Sequence, residues 1–254
     1  MPLFSIDEPQ PKLNPPAQCW REDMPENHEP QLVPPQLRWR GTQNDIYLEV
    51  PRYSMEIMWW ILPPVSFLMI VLIFFLLYSS SCNECMETMF VVFFIVITIF
   101  LFIWFGLKLY FIEPRNQPFR LNRKRQKLYM YNYNRSWLPW LKWLVSVRVY
   151  HWADIHGEIS FSPTPGDRGY RLYGAVCEPG TCNVVERFLL AREGEEREQL
   201  NQIWSYLCMY MQNDNDFLPP RNAEPPAFWR PRKADQWPAE MEHESTTAPE
   251  DIQS

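Results

Sequence analysis

IMWWILPPVSFLMIVLIFFLLY, residues 57–78, and MFVVFFIVITIFLFIWFGLKLYF, residues 89–111, decide the first reading of this chain. Each run reaches the roughly 20 residues that a helix rising about 1.5 Å per residue needs to cross about 30 Å of hydrocarbon. No charge falls between Ile57 and Tyr78, and the second run has none until Lys108, close enough to its end to snorkel. A helix apolar on every face needs cover all round, and the flanks are too polar and too rich in proline to supply it. The sequence therefore predicts an α+β membrane protein. A two-helix transmembrane hairpin occupies 57–111, with spans at 57–78 and 89–111. It carries a cytosolic antiparallel β-sheet domain capped by a C-terminal amphipathic helix.

Working outward, residues 1–35 are dominated by Pro and by the acids Asp7, Glu8, Glu22, Asp23, Glu26 and Glu29, the composition of a disordered arm. That arm lacks the basic and apolar regions of a cleavable signal peptide, so the first span is expected to act as its own targeting signal. Residues 36–56 hold Leu37, Trp39, Ile46, Tyr47, Leu48 and Val50, enough for short pre-membrane strands. Arg38, Arg40 and Arg52 precede the first span. Lys108, Arg115, Arg120, Arg123, Lys124, Arg125 and Lys127 cluster at and after the end of the second, whereas 79–88 has no Lys or Arg. Excess positive charge stays in the cytoplasm, which predicts a two-pass protein of a bacterial inner membrane with both termini cytoplasmic. The net charge of −6 says little about partners, because the regions differ in sign.

The short connection between the runs contains Cys82-Asn83-Glu84-Cys85. Two thiols at this spacing can close or exchange a disulfide in an oxidising compartment. The helix N-terminus and βαβ setting that lower a catalytic thiol's pKa are missing, so a plain disulfide or two inert thiols is the expected reading. Glu84 and Glu87 are poor additions to a zinc site. The cores of both spans lack ionisable groups, which argues against transport. Ser66, Thr98 and Gly106 form no small-xxx-small pattern.

Residues 115–212 read as the cytosolic domain. Phe119-Arg120-Leu121 and Lys127 to Tyr131 form a predicted strand pair around the turn 122–126. Arg120, Arg123, Lys124, Arg125 and Lys127 make this hairpin basic, and they are the expected contacts for anionic headgroups of the bilayer. Tyr129, Tyr131 and Tyr133 beside them could stack bases, but no nucleic-acid partner is expected of a membrane-tethered chain. Trp137 to Leu144 fits a packed loop or a short interfacial helix. Strands are predicted at 145–150, 158–161, 170–177 and 184–191, punctuated by Pro163–Gly169 and Pro179-Gly180.

Leu200, Ile203, Trp204, Leu207 and Met211 recur at helical spacing within 193–211, behind the acids Glu193, Glu195 and Glu196. Five or six strands followed by one such helix resemble pleckstrin-homology-like architecture, a likeness of fold alone. His151, Asp154 and His156 lie where a strand turns a corner with no nucleophile or third ligand, so they read as turn residues. Cys177 and Cys182 read as ordinary thiols. Residues 213–254, Pro-rich and ending in EMEHESTTAPEDIQS, read as a disordered acidic tail in which Phe228, Trp229 and Trp237 could anchor a partner.

The blocks LRWRGTQNDIYLEVPRY, PFRLNRKRQKLYMY, VRVYHWADIHGEI and GYRLYGAVCEPGTCNVVERFLL carry a resemblance over Trp20 to Pro219. F-R-L-N-R-K-R and the W-x-D-I at Trp152 to Ile155 are its most recognisable pieces. The chain resembles a family of bacterial membrane proteins classed as a domain of unknown function. Members are often found near type VI secretion and Rhs toxin genes, which implies an immunity or accessory role and supplies no catalytic residues. The expectation is a membrane-anchored, nonenzymatic protein-binding module without a cofactor, whose partners are the bilayer and an effector toxin or secretion component. Two other classes stay open: a redox or envelope sensor built on Cys82 and Cys85, and an anionic-lipid-binding module.

Overall fold

The computed structural model describes residues 10–53, 64–73, 86–112, 116–134, 141, 144–165, 167–193, 196–214, 216–227, 229–230 and 235–249. Among the described residues eight strands run in chain order: β1 (Trp20–Asp23), β2 (Tyr47–Val50), β3 (Phe119–Asn122), β4 (Lys127–Asn134), β5 (Leu144–His151), β6 (Ile155–Ser162), β7 (Gly169–Cys177) and β8 (Val184–Glu193). They form two four-stranded antiparallel sheets, ordered β2-β3-β4-β5 and β1-β6-β7-β8. A single 3-10 turn, Trp152–Asp154, carries the chain from β5 in one sheet to β6 in the other. The helices are α1 (Met86–Ile112), α2 (Arg197–Met211) and α3 (Ala239–Thr246), and residues 64–73 are helical as well.

Alternation along the strands sorts side chains between faces. In β3, Phe119 and Leu121 enter a core cluster with Leu48, Val50, Leu128 and Met130, while Arg120 and Asn122 fall on the opposite face. The second sheet contributes Ile155, Ile159, Leu172, Phe188 and Leu190 to the same core. Helix α2 covers it with Leu200, Ile203, Trp204, Leu207 and Met211, the face its spacing picks out. Positions off that face are buried too: Tyr206, Cys208 and Tyr210 join the cluster, and burial pushes the Cys208 thiol far above its ordinary pKa. Glu193 belongs to β8, so the helix starts later than the acidic run suggests.

The membrane architecture expected from the sequence is corrected here. Among the described residues no helix is long and apolar enough to cross a membrane. This overturns the α+β membrane-protein fold class, the transmembrane spans 57–78 and 89–111, and the two-pass inner-membrane placement with both termini cytoplasmic. The pleckstrin-homology-like meander is likewise replaced by two sheets, because each takes a strand from before the apolar runs: β2 pairs with β3 and β1 with β6.

That recruitment also changes the two ends of the chain. Residues 1–35, read as a disordered arm, supply β1, and Leu13 and Met24 are buried. Glu158, fully buried, ion-pairs with Arg187 and accepts the Ala17 N–H at 3.2 Å. The Trp204 indole donates to the Pro25 carbonyl at 2.8 Å. Residues 213–254, read as a disordered tail, include α3. Their first part runs beside the arm, where the amides of Leu218, Arg221 and Asn222 donate to the carbonyls of Pro35, Leu37 and Arg38.

Between β2 and β3, Tyr53 bridges Asn116, the Arg52 N–H donates to Asn116 Oδ1 at 2.9 Å, and the Gln117 N–H to the Arg52 carbonyl at 3.4 Å. The Arg52 guanidinium donates to the carbonyls of Gln117, Tyr131 and Leu189, tying β4 of one sheet to β8 of the other. Burial, with Arg192 nearby, pulls its pKa down to about 10.

Candidate functional site

The outer face of β3 and β4 gathers the basic residues singled out in the sequence. Asn122 opens the turn, its Oδ1 accepting the Arg125 N–H at 2.9 Å, and Gln126 closes it with a left-handed φ of 51°. This geometry aims the five cations in different directions. Arg120 is 6 % exposed, its Nε 2.6 Å from Glu49 Oε2 and its Nη1 2.8 Å from Glu242 Oε2. Arg123 is buried as well: it donates to Asn213 Oδ1 at 2.5 Å and to the Asn44 carbonyl, and it lies over the Tyr210 ring. Arg125 donates to the carbonyls of Thr247 and Ala248, and Lys127 to Glu244 Oε1 at 3.0 Å. Lys124 is exposed.

Four of the five expected headgroup contacts are therefore engaged with the protein itself. Arg120, Arg125 and Lys127 meet the closing tail, and Arg123 joins the 44–45 loop to the end of α2. The tail lies along this face. Asn122, fully buried, donates to the carbonyls of Ser245 and Thr247 at 3.1 and 2.9 Å, and Arg120 Nη1 also reaches Ser245 Oγ at 3.0 Å. The Tyr129 hydroxyl donates to Glu244 at 3.0 Å, and burial with this bond raises its pKa strongly. Burial pushes the Tyr131 hydroxyl up to about 12, with Asp235 adding. Trp237 packs edge-on to Tyr131 with Arg120 stacked 4.4 Å from its ring, and Trp229 packs on Tyr53. Trp229 and Trp237 thus anchor the tail to its own chain; Phe228 lies outside the described residues.

Beside Arg123, an open depression of about 380 Å³ is lined by Arg40, Gly41, Gln43, Asn44 and Asp45. His156 Nδ1 lies 2.8 Å from Glu26 Oε2, while His151 is exposed at the end of β5. Among the described residues no group of three or more His, Cys, Asp or Glu is placed to hold a metal. Cys82 and Cys85 lie outside the described residues. Cys19, Cys177, Cys182 and Cys208 are free thiols.

The sequence reading missed the partners of the basic face, not its location. The signal for them was the acidic spacing Glu240, Glu242, Glu244 after Trp237-Pro238, which matches the basic turn in charge. No curated protein and no solved structure matches the chain. The model of a family of unknown function, DUF6708, matches residues 93–229, from within α1 through β3 to β8 and α2. That match spans more than half of the 254 residues, so the chain belongs to this family.

Proposed function

We propose that this chain is a nonenzymatic protein-binding module that serves as an immunity or accessory partner of a toxin from a type VI secretion or Rhs system. The observation that carries the binding reading is the surface of the helix over 92–108. Phe93, Phe94, Phe100 and Trp104 are each more than half exposed, and Phe67 and Leu68 on the stretch 64–73 are exposed as well. Apolar surface this extensive calls for an apolar cover, and ordinary monomers rarely leave it bare. Aromatic side chains dominate it, as they do the energetic centres of protein interfaces. The toxin context comes from the resemblance alone, through the gene neighbourhoods of similar proteins.

The test pairs the gene with a neighbouring effector. Co-expression should protect cells, and the effector should co-purify with the full chain. Phe94→Asp with Phe100→Asp should abolish both while the thermal melt of the sheets is retained. Equal killing with and without the protein would overturn the immunity reading. Capture of the purified chain by protein-free lipid vesicles, with no protein recovered by crosslinking in cells, would overturn the protein-partner reading.

A further inference from the structure

The outer face of β3 and β4 is polar, basic and buried, and its cover comes from more than a hundred residues further along the chain. Residues 237–248 reach it as one segment: Trp237 on Tyr131, Glu242 on Arg120, Glu244 on Lys127 and Tyr129, and the carbonyls of Ser245 and Thr247 on Asn122. We propose that this face is a docking site for an acidic helical segment of another polypeptide, and that the tail is its exchangeable internal occupant. The proposal concerns a different surface from the apolar helices and does not rest on them.

Two properties of the tail make it exchangeable. Its grip is polar, and only Ser245 is sunk to zero exposure: the side chain of Glu242 is 49 % exposed and that of Glu244 32 %. The Lys127–Glu244 pair, open to water on both sides, contributes roughly 1 kcal/mol or less, and Arg120 keeps Glu49 as a second carboxylate when Glu242 leaves. Helix α3 has eight residues and only Met241 as a large aliphatic side chain, too little to fold or hold by itself. Departure of the tail requires only local opening, leaving the core intact.

The face, in contrast, cannot stay bare without cost. Release of the tail strands the Asn122 amide and uncovers Arg120 on a face that otherwise excludes water. Arg125 and Lys127 lose their acceptors at the same moment. The site therefore selects a replacement that presents carbonyls to Asn122 and carboxylates to Arg120 and Lys127. An aromatic ring five residues before the first of those carboxylates would fill the Trp237 position. That is the chemistry of an acidic helix with the spacing of Trp237, Glu242, Glu244 and Ser245.

The experiment uses the full chain and two fluorescent probes. One probe is the peptide of residues 235–249; the other keeps only Trp237, Glu242, Glu244 and Ser245 at their spacing in an unrelated helical background. A tethered segment competes at an effective concentration on the order of mM, so wild type should bind both probes weakly. Glu242→Lys with Glu244→Lys frees the face and should tighten both roughly tenfold or more. Adding Lys127→Glu should remove that gain, and a probe carrying Lys at the Glu244 position should restore it. In wild type, amides of 239–246 should exchange hydrogen faster than those of β6 and β7. The proposal falls if those amides exchange as slowly as the strands, if neither probe binds the freed variant, or if Lys127→Glu leaves binding unchanged. Binding of the tail peptide alone, or exchange confined to dimers of this chain, would overturn the foreign-segment reading.

Discussion

The two ends of this chain both carry prolines and acids and are held by different physics. Both the arm at 10–35 and the closing tail at 235–249 are rich in proline and acids. The arm is built in through its main chain: it pairs with β6, and the amides of Asn14 and Met24 donate to Cys182 and Gly157. Its Ala17 amide donates to Glu158, a carboxylate with no exposure to water. The tail is held by side chains of the sheet gripping its carboxylates and carbonyls near the surface. Composition alone therefore does not decide whether an acidic, proline-rich segment becomes part of a fold. What decides is whether the sheet offers it a vacant ladder or a charged face.

The largest expected effect tests the arm. Glu158→Ala removes the buried acceptor of the Ala17 amide and the ion-pair partner of Arg187, which keeps only the Pro15 carbonyl, and should lower stability by about 3 kcal/mol, read by urea denaturation. Gly157→Ala comes next. A Cβ there would stand 2.8 Å from the Cβ and Cγ of Met24 and 3.0 Å from the Trp204 ring, so the arm must move. The expected loss is about 1–3 kcal/mol, with a matching drop in the thermal midpoint.

Smaller effects belong to the tail. Glu244→Gln should change global stability by less than about 1 kcal/mol yet increase hydrogen exchange over 239–246. Raising the salt from 0.1 to 1 M shortens the screening length from about 10 to about 3 Å, and should loosen the tail and leave β1 protected. Acid should act in the same direction. The Lys127 hydrogen bond, opposed by burial and helped by Tyr129 and Arg125, holds the Glu244 carboxyl below its ordinary 4.5. A depressed carboxylate stabilises the docked form fully above that value, and the contribution fades as pH falls through the lower docked value. Trp237 fluorescence should therefore stay flat from pH 7 to about 4.5 and change below it. A change between pH 6 and 7 would point to another group.

The same contrast explains what could be read from the sequence. The alternation in FRLN and KLYMYNY marks β3 and β4, and the helical spacing of Leu200 to Met211 marks α2, because one core face is enough to produce a pattern. It could not show that the other face is covered too, so Arg120 and Lys127 passed for headgroup-facing cations. β1 reads W-R-E-D and has one large apolar side chain. Leu13 and Met24 are single hydrophobic residues close to prolines, with no period to betray them. The apolar runs dominated the reading because hydropathy is local, whereas the pairing of β2 with β3 across them is not.

The bridge between Tyr53 and Asn116 gives that pairing a further meaning. The chain leaves the sheet after β2 and re-enters it at β3 through a single doorway, and Val50 still faces Phe119 as neighbours in an ordinary hairpin would. Tyr53 and Asn116 thus stand as close as the two ends of a short turn. A turn of about two to five residues spliced between Tyr53 and Asn116 spans the same gap without altering register. The double-sheet body and the apolar helices can then be treated as separable inventions, one free to be exchanged while the other is kept.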